Sequence, residues 1–160
     1  MEAKHSGFTL LEAALVMVIA GIVMLGAPPV WQWMRTRGSG HAVDQLAADL
    51  QLARMMAIRK RSRCSLQMNT PGPNQYANSA NGRTATLSAY RGGVHFISRG
   101  PDGRSMAAGV TFNQQGMSTS VVPRDLFVAD GSQRIIYRVR VLAPGGISVR
   151  RWWNGQWQPP

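Results

Sequence analysis

The sequence has little of several residue types, and each shortage excludes a class of protein. One cysteine in 160 residues excludes an internal disulfide framework and a cysteine-built zinc site. Seven acidic residues stand against 18 basic ones, for a formal charge of +11, and lysine contributes only Lys4 and Lys60. Hydrophobic residues nevertheless make up 44%, which excludes a fully disordered chain.

Sequence motifs of the common enzyme classes are also missing. The chain contains no Gly-x-Ser-x-Gly, no His-Glu-x-x-His and no phosphate-binding loop. Asp102, Asp125 and Asp130 lack the spacing of a calcium loop. Cys64 fits a small buried hydrophobic residue better than a reactive thiol. We therefore predict no enzymatic activity, no catalytic residues, no cofactor and no metal site.

Apolar residues are concentrated near the N-terminus. Residues 13–30 form a run of 18 residues without a charge. As a helix this run would extend about 27 Å, close to the roughly 30 Å hydrocarbon core of a bilayer. Trp31 and Trp33 follow it at the position of an interfacial aromatic belt. The pattern predicts a membrane-spanning helix over residues 8–34.

Two simpler interpretations of this run are a cleaved secretory signal peptide and an ordinary membrane anchor. Signal-peptidase cleavage after Ala27 would need a small residue where Leu25 stands, and Pro28 would follow the cut. Glu12 argues against both interpretations, because a carboxylate near the start of a membrane helix is costly unless it is paired. A free amino group created by cleavage before Phe8 would supply that partner, in a neighbouring subunit or in the same chain.

Residues 4–12, KHSGFTLLE, resemble the type III signal of type IV pilins and pseudopilins. In that family a prepilin peptidase cuts after the glycine and N-methylates the new first residue. The resemblance implies cleavage between Gly7 and Phe8, N-methylation of Phe8, and a role for Glu12 in filament assembly. It also implies a cytoplasmic N-terminus, a single pass through the inner membrane and a periplasmic head.

The remaining sequence changes character twice. Pro28 and Pro29 lack backbone donors and predict a kink or an interruption of the helix, and residues 38–40 (Gly-Ser-Gly) form a second weak point. Apolar residues at helical spacing predict a restart near His41. Beyond Cys64, short segments separated by Gly, Pro and Asn predict strands. The predicted fold is α+β, with a long N-terminal hydrophobic helix, transmembrane in one half and amphipathic in the other, packed on a C-terminal antiparallel β-sheet head.

The predicted organisation has five segments: a leader peptide, 1–7; a transmembrane or filament-core helix, 8–34; an amphipathic helix of the head, 35–63; a β-rich globular head, 64–153; and a polar tail, 154–160. Within the head we predict strands over 65–68, 84–90, 94–98, 110–113, 117–122, 126–129, 134–142 and 147–153. Residues 71–83 are predicted to form a polar loop. The strands at 84–90 and 94–98 are predicted to form a hairpin.

Residues 52–59, LARMMAIR, resemble a helix signature of the GspH/FimT group, and residues 110–112 (VTF) followed by Gly116 are similar to the same group. Its members are minor pseudopilins of type II secretion or minor pilins of type IV pili. The resemblance implies a place near the filament tip, where such subunits prime or cap assembly. The implied partners are the prepilin peptidase, other minor and major pilins or pseudopilins, the inner-membrane assembly platform and membrane lipid.

The positive charge of the head indicates a polyanionic partner, and DNA is the first hypothesis. Residues 148–157 interleave arginine with tryptophan, side chains that neutralise phosphates and stack on bases. The candidate DNA-binding residues are Arg138, Arg140, Arg150, Arg151, Trp152 and Trp157. Some FimT-like members bind DNA for uptake through a Gly-Arg-x-Arg element near the C-terminus, and here the arginine pair follows Gly146 at a different spacing.

Two alternatives to a DNA site stay open. In the first, Val149 and Trp153 pack in the core while Arg150 and Trp152 lie on a solvated face of the sheet. In the second, the chain is a GspH-like minor pseudopilin of a type II secretion system and binds no DNA.

Overall fold

The computed structural model describes the backbone of residues 10–160 and the side chains of residues 10–22 and 38–160. The chain divides into two compact units, the first ending at Met34 and the second covering Arg35–Pro160. One helix, α1, covers Leu10–Lys60. The predicted interruption at Pro28 and Pro29 and the predicted restart near His41 are therefore wrong. Adjacent prolines remove two donors, but their fixed φ is compatible with a helix.

The N-terminal part of α1 exposes large apolar side chains. Over the described residues, no helix is both long and apolar enough to cross a membrane. The predicted membrane-spanning helix over 8–34 is not confirmed, and residues 8–9 and the side chains of 23–34, including Trp31 and Trp33, lie outside the described part. Exposed apolar side chains follow one another along the described stretch: Leu10, Leu11, Leu15, Val16, Met17, Val18, Ile19 and Ile22. A continuous apolar surface of this kind marks an interaction site.

The C-terminal part of α1 contributes one side of the hydrophobic core. Its fully buried residues recur every three or four positions: Val43, Leu46, Leu50, Ala53 and Ala57. This spacing places them on one face of the helix. Each fully buried leucine contributes about 1.5–3 kcal/mol to stability. The helix is also tied to the head by Arg54, whose Nε donates to the carbonyl oxygen of Gly116 at 3.1 Å.

The first sheet has four antiparallel strands in the order β3-β2-β1-β5. Their bounds are Cys64–Met68 for β1, Gln75–Asn78 for β2, Arg83–Thr86 for β3 and Gly109–Phe112 for β5. Strand β2 lies inside the segment predicted to be a polar loop, so that prediction is wrong. Tyr76 and Asn78 explain it, because both are buried and both bind Asp49 of α1, Tyr76 through its hydroxyl at 2.6 Å.

The second sheet has five antiparallel strands in the order β4-β6-β7-β8-β9. Their bounds are His95–Phe96 for β4, Arg124–Ala129 for β6, Ile136–Val141 for β7, Ile147–Trp153 for β8 and Gln156–Gln158 for β9. Strand β9 lies in the predicted polar tail, 154–160, which is therefore not a simple tail. It pairs with β8 through Trp152 and Trp157.

Two predictions within the head are wrong. Segments 84–90 and 94–98 form no hairpin, because β3 belongs to the first sheet and β4 to the second. A short 3₁₀ turn, Leu87–Ala89, separates them and buries Leu87 in the core. Residues 117–122 form no strand and make one isolated bridge, between Ser118 and Phe112. The general prediction of an α+β head with antiparallel sheets is confirmed.

Candidate functional site

The predicted processing segment lies at the edge of what the structure describes. Gly7 and Phe8 fall outside the described residues. Glu12 lies in the first turn of α1, where a carboxylate interacts favourably with the helix dipole. Its side chain is exposed among the apolar side chains of residues 10–22. An acidic group is thus present at the start of an otherwise apolar helix surface.

The predicted DNA-binding residues belong mainly to the outer face of the five-stranded sheet. Directly opposed residues of antiparallel strands share a face. Tyr137, Val139 and Val141 of β7 belong to the core, so the residues between them point outward. The register then gathers one set of outward residues, which we call the arginine–tryptophan face: Asp125, Phe127, Arg138, Arg140, Arg150, Trp152 and Trp157.

Asp102 organises the centre of the arginine–tryptophan face. It belongs to the loop 99–105 and accepts hydrogen bonds from Arg138 Nη1 at 3.1 Å and from Trp157 Nε1 at 3.0 Å. Partial burial opposes ionisation of the carboxyl group, but the bonds from Trp157 and the Arg104 amide, with the charge of Arg138, hold the pKa of Asp102 below its ordinary value. A single carboxylate thus fixes one arginine and one tryptophan.

Trp157 lies at the centre of an aromatic and cationic stack. The Arg138 guanidinium carbon lies 4.3 Å from the Trp157 ring centroid. Phe127 stacks on Trp157 at 6.0 Å between centroids, and Trp152 meets it edge-on at 5.0 Å. Arg138 itself is buried, and burial followed by the nearby charge of Arg140 lowers its pKa. Three side chains thus already contact the Trp157 ring.

A second carboxylate holds Arg140. Asp125 accepts bonds from Arg140 Nε at 2.6 Å and from Nη2 at 2.9 Å, the bidentate geometry of a strong ion pair. This hydrogen bond raises the pKa of Arg140. Arg104 lies near both carboxylates, at 3.6 Å from Asp102 and 3.7 Å from Asp125. Three guanidinium groups thus share two carboxylates, and the cluster keeps one surplus positive charge.

The six candidate residues therefore do not form one open patch. The Arg138 and Arg140 side chains are 7% and 22% exposed and are engaged by aspartates. Arg150 is exposed on the same face, directly opposite Arg138 in the register. Arg151 lies on the other face of β8, with its guanidinium 5.0 Å from the ring of Trp153.

The alternative packing expected for β8 is half right. Val149 packs against the core, and Arg150 and Trp152 lie on the outer face. Trp153, however, is 50% exposed and is not a core residue. It lies at the end of the strand, beyond the part of the sheet that the core covers.

Sequence reasoning missed the residues that build this site. Asp102, Asp125 and Arg104 are not among the predicted site residues; Asp125 lies in β6, and Asp102 and Arg104 lie in the loop 99–105. The composition could have indicated these aspartates, because an arginine-rich chain with few carboxylates is expected to pair each carboxylate with a cation. Among the residues that the structure describes, no group of histidine, cysteine, aspartate or glutamate side chains is placed to hold a metal ion.

Comparison with known families decides what kind of protein carries this head. The model of a family described as Type II transport protein GspH matches residues 42–146. The chain belongs to the GspH family. A second model, described as Prokaryotic N-terminal methylation motif, matches residues 3–28 of this GspH-family chain. The predicted identity as a type IV pilin-like protein or pseudopilin is confirmed.

One solved structure shares the fold of this chain. The crystal structure of the type IV minor pilin FimU from Pseudomonas aeruginosa is similar to this GspH-family chain, with a TM-score of 0.51 and 16% sequence identity. That match covers 78% of this chain and 96% of FimU. A second crystal form of FimU gives a TM-score of 0.49 at 18% identity, covering 74% and 95% of the two chains. No curated protein matches the chain by sequence.

Proposed function

We propose that this GspH-family chain is a minor pilin or pseudopilin that primes or caps a type IV pilus-like filament near its tip. A prepilin peptidase cuts it between Gly7 and Phe8 and methylates Phe8. The subunit waits in the inner membrane with a periplasmic head, then joins other minor and major pilins at the assembly platform. One observation carries the proposal: within the methylation motif matched over residues 3–28, the helix exposes a run of large apolar side chains between Leu10 and Ile22.

Assembly in this proposal exchanges lipid contacts for helix packing. Apolar helix surfaces associate inside a bundle through close van der Waals contact. Glu12 supplies the one carboxylate at the start of the apolar surface, and cleavage before Phe8 creates one amino group. An ion pair between Glu12 and the amino group of an adjacent subunit gains strength because water is excluded from the bundle. The pair would also fix the axial register between the two subunits.

The test is co-expression of the full chain with a prepilin peptidase and the other pilins. We expect the purified subunit to begin at Phe8 and to carry the mass of one extra methyl group. Glu12→Ala should be cleaved normally and should be strongly depleted from sheared filaments. Asp44→Ala changes another exposed carboxylate of α1 and is the matched control. Normal incorporation of Glu12→Ala, or an uncut Gly7–Phe8 bond, would overturn the proposal.

We propose DNA as a second ligand, because Arg150 offers a guanidinium group to solvent beside Trp152. Arg150 makes no ion pair with any acidic residue that the structure describes. Phosphate contacts are salt-dependent because each one releases a counterion, and Trp152 can add stacking on an unpaired base. Arg138 and Arg140 are paired with Asp102 and Asp125. We therefore expect these two arginines to affect the shape and the electrostatic potential of the site and not to bind phosphate directly.

The full chain in detergent, titrated with labelled single-stranded DNA across a salt series, tests this ligand. We expect affinity to fall steeply with salt and to drop several-fold in Arg150→Ala. Arg83→Ala removes an exposed arginine from β3 of the other sheet and serves as the control. Absence of binding at low salt would instead favour the alternative, a minor pseudopilin of type II secretion without DNA binding.

A further inference from the structure

Three loops of the second unit lie at one end of the five-stranded sheet. The register pairs Ala129 with Ile136 and Trp153 with Gln156. The turns 130–135 and 154–155 therefore lie at the same end of the strands. The amide of Gly131 donates to the carbonyl oxygen of Gly92 at 2.7 Å, which joins the loop 91–93 to the turn 130–135 at that end of the sheet. We call the segments 91–93, 130–135 and 153–155 the basal loops.

Helix α1 passes the basal loops where it enters the second unit. A Cβ built on Gly38 would lie 1.8 Å from the carbonyl oxygen of Arg91, so the helix backbone lies directly against the loop 91–93. Gly38 follows Arg35, the first residue of this unit, by one helical turn. At the opposite end of the sheet, Arg54 of α1 binds Gly116. The basal loops therefore lie at the end of the head nearest, along the chain, to the N-terminal segment.

The basal loops carry positive charge that the described part of the chain does not neutralise. Arg91 and Arg134 are exposed, and among described residues neither makes an ion pair. Arg151 of β8 adds a third guanidinium group at this end of the sheet, and its buried Nε has no hydrogen-bond partner among the described residues. Asp130 is the one acidic residue of these loops. Its carboxylate accepts bonds from the Ser132 hydroxyl and the Ile135 amide, so it is held within its own turn.

Trp153 completes the chemistry of this surface. Its ring is 50% exposed, although its two indole neighbours in sequence are packed in the arginine–tryptophan face. The Arg151 guanidinium lies 5.0 Å from its centroid. Tryptophan is enriched at the headgroup level of membranes. Arginine stems also lie against apolar groups while their charged ends reach phosphate.

We propose that the basal loops bind the anionic headgroups of a phospholipid membrane before the subunit leaves for the filament. The inference rests on the proposed function, because it needs the chain to be anchored in a membrane. Anchorage would hold this end of the head near lipid phosphates, since Gly38 follows the N-terminal segment directly. Arg91, Arg134 and Arg151 then contact phosphates, and Trp153 lies among the headgroups. Extraction into a filament must break these contacts, which adds a lipid-dependent step to assembly.

The experiment uses the full chain in nanodiscs of phosphatidylcholine alone or of phosphatidylcholine mixed with phosphatidylglycerol. Hydrogen exchange of the basal loops is measured in both. We expect slower exchange in the anionic discs, by about fivefold for each arginine engaged, and loss of this protection at high salt. Arg91→Gln with Arg134→Gln should remove most of this protection and leave at most the roughly fivefold contribution of Arg151. Arg63→Gln with Arg124→Gln, exposed arginines at the other end of the head, is the matched control and should leave it unchanged.

The outcomes separate this inference from the proposed function. Equal exchange in the two lipids, or equal loss of protection in the control variant, overturns the lipid inference while the anchored subunit stands. A chain that fails to remain in either disc contradicts the membrane anchorage itself, and both proposals fall. Near-ultraviolet circular dichroism of each variant confirms that the tryptophan packing is intact, so a change in exchange reports on lipid contact.

Discussion

Asp102 accepts the indole hydrogen of Trp157 at 3.0 Å, across 55 residues of sequence. The same carboxylate oxygen accepts a hydrogen bond from Arg138 at 3.1 Å. The loop 99–105 is thereby fixed to the C-terminal strand β9 and to the central strand β7. This contact makes the last strand of the chain part of the head, and it withdraws Arg138 from solvent.

Removing this carboxylate is predicted to destabilise the head. In Asp102→Ala, the buried Arg138 loses its ion-pair partner, and a buried unpaired charge is costly. We expect a loss of about 2–4 kcal/mol in the free energy of unfolding, the low end reflecting the partly exposed carboxylate. Urea denaturation of the full chain in detergent measures it. Asp44→Ala, an exposed carboxylate on α1, should change the midpoint little, and equal effects of the two would refute the assignment.

Stability is predicted to fall in acid. The pKa of Asp102 in the folded head is below its ordinary value, about 3.9 in unfolded chains. The unfolded state therefore binds protons first, and the stability from this group is present above about pH 5 and lost as pH falls below about 4. Asp130 is shifted in the same direction. Asp102→Asn should flatten, without abolishing, the slope of unfolding free energy against pH in this window.

The contact between α1 and β2 is predicted to be a second point of stability. The Tyr76 hydroxyl is buried and donates to the Asp49 carboxylate at 2.6 Å. Hydrogen bonds to charged groups contribute about 1.5–3 kcal/mol, so Tyr76→Phe should lose an amount in that range. Tyr90→Phe is the control, since the Tyr90 hydroxyl makes no side-chain hydrogen bond among the described residues. A smaller loss for Tyr76→Phe than for Tyr90→Phe would contradict the role.

Two glycines with similar backbone angles are predicted to differ sharply. Gly145 and Gly155 have φ of +84° and +76°. A Cβ on Gly145 would lie 2.0 Å from the carbonyl oxygen of Gly116, whereas a Cβ on Gly155 would meet nothing within 4 Å. Gly155→Ala should cost about 1–2 kcal/mol from left-handed strain alone. Gly145→Ala should cost about 2–5 kcal/mol because it adds overpacking, which thermal unfolding of both variants can compare.

The family and the buried face of the N-terminal helix could be predicted from local sequence. KHSGFTLLE followed by an uncharged run predicts a processed pilin-like helix because leader, cleavage point, carboxylate and apolar surface follow in a fixed local order. The spacing of Leu46, Leu50 and Ala53 predicts the buried face of α1 for the same reason, since helical periodicity is a local property. The continuity of α1 through Pro28 and Pro29 was not predictable. A proline in the sequence shows that one backbone hydrogen-bond donor is missing, but it does not show whether the helix continues past that residue.

The head shows what sequence order cannot decide. Alternation separates the inner from the outer side chains of a strand, but it does not show which outward arginines stay unpaired. Arg138 and Arg150 look equivalent in the sequence, and they stand directly opposite each other in the register. Asp102, from a distant loop, reaches one of them and not the other. Likewise, Trp153 and Trp157 differ in exposure because one lies at the end of a strand and the other lies beneath that loop.

The sequence by itself determined the family and the α+β class, because short motifs and local periodicity specify them; the processed N-terminus stays a prediction. The tertiary structure decided the division of strands between two sheets, the burial of Arg138 and the grouping of Arg91, Arg134 and Trp153 at one end of the head. Those outcomes depend on contacts between residues that are far apart in the chain. These contacts are ion pairs between the few carboxylates and distant cations, and packing of loops on the core. Neither kind of contact can be read from the spacing of neighbouring residues.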